Sequence, residues 1–322
     1  KLILVRFMII TAFFPILLGI TLIWISAEKL EKYSVSAATS LGMSPFLIGS
    51  TIIAFGTSAP EMLTTFFAAL DDKGSMIIGN VIGSNVANLS LVFGTALLIL
   101  AFKKKDIKQV SSIRNNLLIL LAVTFLSWLV IATNPFSPFS SLILILTLIL
   151  VIIYWYKTNS GAEIDLDSKE KYISLKLILS LGTLIFAAWL ITYGATNILE
   201  RYQLGELFIG FTILAVGTSL PEIAAASSLA LKGRYETVAG TLIGSNIFNS
   251  LTVLAIPGFF NSSLMAESWN YASWSYLLML LTFVTLCFSM YIFTAINNTK
   301  KANKSVALLF LSAYFFSLLF AY

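Results

Sequence analysis

Two glutamates, Glu61 and Glu222, lie inside long apolar stretches of this chain. Each follows a proline in nearly the same phrase, which reads Ala54-Phe-Gly-Thr-Ser-Ala-Pro-Glu61 in the first case and Ala215-Val-Gly-Thr-Ser-Leu-Pro-Glu222 in the second. A carboxylate at membrane depth costs roughly 2.5–3.5 kcal/mol. No lysine or arginine stands within either stretch to pair with the carboxylates. We therefore expect the two glutamates to bind a cation.

The composition predicts an all-α polytopic membrane protein. The 322 residues are 58% hydrophobic and 11% charged, with a mean hydropathy of +0.92, and a soluble domain could not bury so much apolar surface. A membrane-spanning helix needs about 20 apolar residues, and the apolar runs have that length instead of the short alternating pattern of a barrel strand. Ten spans are predicted, near 8–27, 41–70, 75–101, 115–133, 138–156, 172–194, 206–231, 236–260, 271–297 and 304–321.

The two halves of the sequence repeat each other. A shift of 161 positions aligns the glutamate phrases with six identities in eight, and it aligns 79–88 with 240–249 with six in ten. Each half holds five predicted spans, an odd number, so the second half must cross the membrane in the opposite sense. Ion sites in such proteins form at the midplane from broken helices. The predicted units are a first five-helix repeat at 1–160, a cytoplasmic linker at 161–171 and a second, inverted repeat at 172–322, with the repeated phrases near 41–101 and 206–260.

The distribution of basic residues predicts the orientation. The loops after the odd-numbered spans carry sixteen of the twenty lysines and arginines, and the other side holds only Lys1, Arg6, Lys73 and Arg201. Basic loops are retained in the cytoplasm. Both termini are therefore expected outside the cell. The retention of basic loops in the cytoplasm also explains the excess of Lys and Arg over Asp and Glu, so a nucleic-acid partner is not expected.

Both prolines predict a distorted helix beside the glutamates. A proline lacks an N–H and its ring crowds the carbonyl four residues earlier, so we expect the helical ladder to open near Gly56 and Gly217. Carbonyls freed at membrane depth must face protein, water or an ion. Each glutamate is expected in the first turn of the half-helix that follows, where the helix dipole favours a carboxylate. Hydroxyl oxygens flank both breaks, at Thr57, Ser58, Thr218 and Ser219.

The second repeated phrase predicts the opposite wall of the site. Ser84 and Asn88 are four residues apart, as are Ser245 and Asn249, so each pair shares one face of a helix. Together with the carboxylates, these side chains offer the hydroxyl and amide oxygens that Ca²⁺ takes in sets of six to eight. Na⁺ can use the same oxygens in smaller sets.

Each copy of this phrase also carries a Gly-x-x-x-Gly ridge. The glycines are Gly79 and Gly83 in the first copy and Gly240 and Gly244 in the second. Small residues at this spacing let two helix backbones approach closely. We expect the glycines to permit a close contact next to the polar pair.

The paired phrases resemble the α-repeats of the calcium/cation antiporter superfamily, and the chain is most similar to prokaryotic sodium/calcium exchangers. The similarity extends over the whole ten-helix arrangement. It implies one cluster of overlapping Ca²⁺ and Na⁺ sites, and it implies that the first and sixth helices, at 8–27 and 172–194, slide against the rest. The implied ion ligands are Glu61, Glu222, Ser84, Ser245, Thr57, Thr218, Ser58 and Ser219, with Asn88, Asn249 and the carbonyls of Ala54 and Ala215 alongside.

One position departs from part of the superfamily. Asn249 stands where several relatives carry an aspartate, and an acidic residue there accompanies potassium co-transport. Because this chain has Asn at both 88 and 249, its site holds at most two formal negative charges. Potassium dependence is therefore not expected.

The resemblance implies a secondary antiporter, not an enzyme and without a cofactor, that brings Na⁺ into the cell and exports Ca²⁺ by alternating access. The alternative is an exchanger of the same superfamily that couples H⁺ to Ca²⁺ or to another divalent cation, since protons could compete for a buried glutamate. A cation channel is less favoured, because inverted repeats around one closed carboxylate pair are typical of transporters. The expected partners are Ca²⁺ and Na⁺ as substrates and the lipid of the plasma membrane, with the chain acting as a monomer.

Overall fold

The computed structural model describes residues 9–39, 45–103, 111–159, 173–260, 264–265, 275–297 and 302–321. These ranges form an all-helical fold and contain no β-strand. The predicted linker at 161–171 lies outside the described residues. The division of the chain into two units therefore stays a prediction.

The α-helices are numbered here in chain order. They are α1 (Phe14–Thr39), α2 (Ala54–Leu70), α3 (Gly74–Ala87), α4 (Phe93–Phe102), α5 (Ser111–Thr133), α6 (Pro138–Asn159), α7 (Ile173–Tyr202), α8 (Ala215–Thr218), α9 (Leu220–Leu231), α10 (Tyr235–Phe248), α11 (Ser275–Asn297) and α12 (Lys304–Ala321). Shorter helical pieces cover Pro45–Leu47, Glu206–Ile209 and Ile256–Phe259.

Several of these helices are extended by π-helical turns, in which each backbone hydrogen bond spans one residue more than in an α-helix. Four of the turns join helical segments within the two repeated regions. They are π1 (Ile48–Ile53), π2 (Asn88–Val92), π3 (Gly210–Leu214) and π4 (Asn249–Val253). Another π turn, Ile9–Phe13, precedes α1.

Eight helical segments of the described ranges are long and apolar enough to cross a membrane. They are Gly49–Leu70, Gly74–Phe102, Ile113–Thr133, Pro138–Thr158, Ile178–Tyr202, Glu206–Leu231, Tyr235–Phe259 and Ser275–Thr294. The first and last predicted spans correspond to shorter apolar helices, Ile10–Ser26 and Lys304–Leu319. The chain is therefore a multi-pass membrane protein, while the count of ten spans and the inversion of its halves stay predictions.

The outer faces of the helices are apolar. Phe139, Met279 and Leu319 are each about two-thirds or more exposed, at 70%, 68% and 73%. Large apolar surface of this kind is unfavourable in water and favourable in lipid. The polar side chains of the repeated phrases lie instead in the interior, so the fold is apolar outside and polar at its centre.

The first glycine ridge brings α3 against the segment that leads into α8. A Cβ on Gly79 would lie 2.6 Å from the carbonyl oxygen of Leu207, and one on Gly83 would lie 2.8 Å from that of Phe211. Since no real Cβ fits so close to a backbone oxygen, only glycine permits this contact. The close approach expected from the Gly-x-x-x-Gly spacing is present.

The second glycine ridge makes the reciprocal contact. A Cβ on Gly240 of α10 would lie 2.9 Å from the carbonyl oxygen of Phe46, and Gly244 packs directly against the backbone of Ser50. The glycine helix of each repeated region thus packs on the segment that precedes the glutamate phrase of the other region. This exchange brings both glutamates and both serine-asparagine faces to one place.

Helices α1 and α7 pack against each other at two further glycines. A Cβ on Gly19 would lie 2.8 Å from the carbonyl oxygen of Ala187, and a Cβ on Gly194 would lie 2.6 Å from that of Ala12. Contacts this short between helices require a residue without a side chain. The two helices therefore form a closely packed pair.

Candidate cation-binding site

The two glutamates meet in the interior of the molecule. Glu61 of α2 and Glu222 of α9 are both fully buried, at 0% exposure. The two carboxylates are close enough to interact electrostatically. Like charges in a buried site repel each other strongly, so this arrangement needs a bound cation or a proton to be stable.

The helix is broken at only one of the two prolines. In the second copy, α8 ends at Thr218 and α9 begins at Leu220, so Glu222 lies in the first turn of α9, as expected. In the first copy, α2 runs from Ala54 to Leu70 through Pro60 without interruption. The prediction that Glu61 begins a half-helix is therefore wrong.

Hydroxyl side chains from both repeated regions surround the glutamates. Thr218 and Ser219 interact with the Glu61 carboxylate, as does Ser84 from α3. Thr57 interacts in the same way with the Glu222 carboxylate. None of these contacts has the geometry of a hydrogen bond. Both oxygens of each carboxylate are thus without a hydrogen-bond partner among the described residues. The hydroxyl and carboxylate oxygens therefore line a common space.

Most of the predicted ligands carry buried polar atoms without a partner. A buried polar atom that makes no hydrogen bond is costly, so a cluster of them indicates a missing ligand. All of them offer at least one oxygen, which suits a hard cation such as Ca²⁺ or Na⁺. Among the predicted ligands, the atoms without a partner in the described part of the chain are Ser58 Oγ, Glu61 Oε1 and Oε2, Ser84 Oγ, Asn88 Oδ1 and Nδ2, Ser219 Oγ, Glu222 Oε1 and Oε2, and Asn249 Oδ1 and Nδ2.

Three of the remaining predicted hydroxyl ligands already make hydrogen bonds. The Thr57 hydroxyl lies 3.3 Å from the Ala54 carbonyl and 3.2 Å from the Ser245 hydroxyl. The Thr218 hydroxyl donates to the Leu214 carbonyl at 2.9 Å. A hydroxyl that donates its proton keeps acceptor lone pairs, so these oxygens stay available to a cation.

The two predicted carbonyl ligands also have partners. The Ala54 oxygen receives the Thr57 hydroxyl, and the Ala215 oxygen receives the Ser219 N–H at 3.0 Å. Near Ala54, where carbonyls without a partner were expected, the oxygen is thus already engaged by a side chain. A carbonyl oxygen has two lone pairs, so both can still contribute to a cation site.

The chemistry of the site is that of oxygen ligands. The described residues contain no group of three or more His, Cys, Asp or Glu side chains that could hold a metal ion by themselves. Any cation here must combine the two carboxylates with neutral hydroxyl, amide and carbonyl oxygens. Such a set suits Ca²⁺ and Na⁺ better than soft transition metals.

Two buried asparagines beside the site were not among the predicted ligands. Asn80 Nδ2 lies 3.4 Å from the hydroxyls of both Thr64 and Thr65. Asn85 Nδ2 donates to the Ser250 hydroxyl at 2.9 Å. Asn85 could have been found because it is identical to Asn246 in the sequence repeat, whereas only the four-residue spacing from Ser84 points to Asn80.

Comparison with known proteins identifies relatives over nearly the whole chain. A family model described as sodium/calcium exchanger protein matches residues 11–157 and 173–322. The chain is 30% identical to the antiporter CaxA of Alkalimonas amylolytica, over 93% of this chain and 95% of that protein. It is 27% identical to the sodium/calcium exchanger MaX1 of Methanosarcina acetivorans, over 81% of this chain and 86% of that protein. A solved structure of the sodium-calcium exchanger NCX_Mj covers 97% of this chain and 98% of its own, with a TM-score of 0.71 and 28% identity.

Proposed function

This chain belongs to the sodium/calcium exchanger family, and on that basis we propose that it exchanges Na⁺ for Ca²⁺ and exports Ca²⁺ from the cell. The observation that carries the proposal is the pair of fully buried carboxylates, Glu61 and Glu222, surrounded by unpartnered oxygens. Membership of the family makes the chain an antiporter. The choice of Na⁺ and Ca²⁺ rests on the oxygen chemistry of this site.

The charge of the site supports competition between the two ions. Two carboxylates are neutralised by one Ca²⁺ or by two Na⁺. An empty site would carry two buried negative charges, which is costly in a low-dielectric interior. A loaded site can therefore be occluded and cross between the two faces, whereas the empty site resists crossing. This difference accounts for obligatory exchange.

The proposed ions share one set of ligands. Glu61, Glu222, Ser84 and Ser245 form its centre, and the threonine and serine hydroxyls beside the prolines surround it. Asn88 and Asn249, at the first positions of π2 and π4, supply amide oxygens. Irregular helical turns are frequent at functional sites because they redirect side chains and carbonyls.

We further propose that the two halves of the chain are inverted five-helix repeats, with ten spans in all and both termini outside the plasma membrane. The reciprocal packing of the glycine ridges supports a two-fold relation between the halves, and the odd number of predicted spans in each half makes that relation an inversion. In this arrangement α1 and α7 are the pair that slides along the remaining helices. Their close contact at Gly19 and Gly194 supports movement as one body.

Coupling to protons is the second candidate. The observation in its favour is the same pair of buried carboxylates, because a proton on each would neutralise the site as two Na⁺ do. The several hydroxyl oxygens around each carboxylate favour Na⁺, which binds several oxygens at once. A protonated glutamate would need only one hydrogen-bond acceptor. We therefore place proton coupling second.

The experiment is ⁴⁵Ca²⁺ uptake into proteoliposomes that hold the purified chain. Vesicles are loaded with Na⁺, with K⁺, or with an acidic buffer, and diluted into medium without the loaded ion. Uptake into Na⁺-loaded vesicles, without uptake into K⁺-loaded or acidic vesicles, supports the proposal. Uptake that occurs only from acidic vesicles would replace it with proton/calcium exchange, and equal uptake in every condition would indicate a channel.

A further inference from the structure

A buried hydrogen bond joins the two repeated regions beside the ion site. Asn85, at 2% exposure, follows Ser84 on α3, and Ser250, at 1%, follows Asn249 on π4. The Asn85 amide nitrogen donates to the Ser250 hydroxyl oxygen at 2.9 Å. Each partner is thus covalently next to a proposed ligand, one in each half of the site.

The equivalent bond is missing on the other side of the site. A shift of 161 positions places Asn85 on Asn246 and places Leu89 on Ser250. The side chain of Leu89 has no hydrogen-bond acceptor, and Asn246 donates instead to the backbone carbonyl of Leu242 in its own helix, at 2.8 Å. The turn π4 is therefore tied to α3, whereas π2 has no such tie from Asn246.

We propose that Asn85 is a positioning residue that selects for Ca²⁺, because it holds the start of π4 and so fixes the amide of Asn249 in the site. This inference rests on the proposed function. Among the described residues, both polar atoms of the Asn249 side chain have no hydrogen-bond partner, so no hydrogen bond of its own fixes the amide. Asn85 instead holds the next residue of π4, through its hydrogen bond to the Ser250 hydroxyl.

Loss of this tie affects the two ions unequally. Ca²⁺ takes six to eight oxygens, and an amide that swings away removes one of them. Na⁺ uses a smaller set and tolerates the loss more easily. The half of the site at Asn88, where the corresponding asparagine bonds within its own helix, should adapt to either ion.

The test compares Asn85→Ala and Ser250→Ala, singly and together, with Asn246→Ala as the matched control. Ser250→Ala removes a single oxygen atom, so it remains a fair test if Asn85→Ala does not fold. The measurements on the full chain in liposomes are the KM for Ca²⁺ and, at Ca²⁺ concentrations well below the KM of each variant, the Na⁺ concentration that half-inhibits Ca²⁺ uptake. Equilibrium ⁴⁵Ca²⁺ binding to the purified protein is measured in parallel.

We expect each single variant to raise the Ca²⁺ KM about fivefold, which is the effect of one buried neutral hydrogen bond. The double variant should match a single one, and the half-inhibiting Na⁺ concentration and the Asn246→Ala control should change less than about twofold. The inference would be overturned if Ca²⁺ and Na⁺ affinity fell equally, or if the KM increases of the two single variants added up in the double variant. It would also be overturned if Asn246→Ala raised the Ca²⁺ KM as much as Asn85→Ala does. The Ca²⁺-binding measurement separates this outcome from failure of the proposed function, because it requires no Na⁺ coupling.

Discussion

The hydroxyl of Thr57 lies 3.2 Å from the hydroxyl of Ser245, which is 188 residues later in the chain. The equivalent pair under the sequence repeat is Thr218 and Ser84, and it behaves differently. Thr218 donates to a backbone carbonyl of its own segment, and the Ser84 hydroxyl has no hydrogen-bond partner. The two halves of the site therefore share residue types but not hydrogen bonds.

This difference predicts unequal effects of two matched substitutions. Ser84→Ala should raise the KM for Ca²⁺ about 3–10-fold, because it removes an oxygen that has no other partner and faces Glu61. Ser245→Ala should raise it less than Ser84→Ala does, since that hydroxyl is shared with Thr57. The measurement is Na⁺-driven ⁴⁵Ca²⁺ uptake at varied Ca²⁺. Equal effects of the two substitutions would contradict the prediction.

Removal of either buried carboxylate charge should abolish exchange. Each carboxylate is the charged partner of the proposed cation, and loss of one partner of a buried pair of opposite charges typically costs about 3–5 kcal/mol, which is more than about 100-fold in affinity. Glu61→Gln and Glu222→Gln should therefore both fall below measurable Na⁺-driven uptake. Glu206→Gln is the control, because this partly exposed glutamate lies 3.9 Å from Lys73 and outside the site. Retention of uptake in Glu222→Gln would exclude the site as placed.

The glycine ridges should tolerate no added methyl group. Gly83→Ala and Gly244→Ala each force a Cβ into backbone atoms of a neighbouring helix, and overpacking of this kind costs about 1–3 kcal/mol. We expect a lower temperature of thermal unfolding in detergent for both variants. Gly182→Ala on α7 is the control, since its Cβ would meet nothing within 4 Å. A control variant as unstable as the two ridge variants would contradict the packing argument.

The inversion of the two halves can be tested at one pair of equivalent positions. Asp71 and Lys232 are 161 residues apart, and each lies in the short turn that follows a glutamate-bearing helix. Inverted halves place these turns on opposite sides of the membrane. In a background with Cys287→Ala, a membrane-impermeant maleimide added to intact cells should label Asp71→Cys and not Lys232→Cys. Labelling of both positions from outside would rule out inversion.

The movement of α1 can be tested where it touches α8. A Cβ on Gly217 would lie 3.5 Å from a side-chain carbon of Ile20, so cysteines at these positions should form a disulfide. We expect the oxidised double variant Ile20→Cys/Gly217→Cys to stop transport and dithiothreitol to restore it. Gly217→Cys alone controls for damage to the nearby ligands. Full transport by the cross-linked protein would mean that α1 does not slide along α8.

Much of the candidate site could be predicted because the cost of burying charge is so large. The burial of Glu61 and Glu222 followed from their apolar surroundings, and the helix contacts at Gly79 and Gly244 followed from glycine spacing. These features depend on residue type alone, and the same residue type has the same consequence in most membrane proteins.

The backbone details could not be predicted because they depend on neighbouring segments. Pro60 and Pro221 occupy equivalent phrases, yet only the second one follows a break in the helix. The turns π1 to π4 also escaped prediction, since the residues in them are ordinary apolar and polar types. The tie between Asn85 and Ser250 depends on which residue stands opposite an asparagine, and that is decided by packing between the halves.

The tight contact between α1 and α7 has a consequence for the fidelity of transport. One helix comes from each half of the chain, and at Gly19 and Gly194 their backbones lie in direct contact, which favours movement of the two helices together. If the pair moves, opening on one face and closing on the other are a single displacement. An ion gradient maintained by such a protein is not drained through a state that is open to both compartments at once.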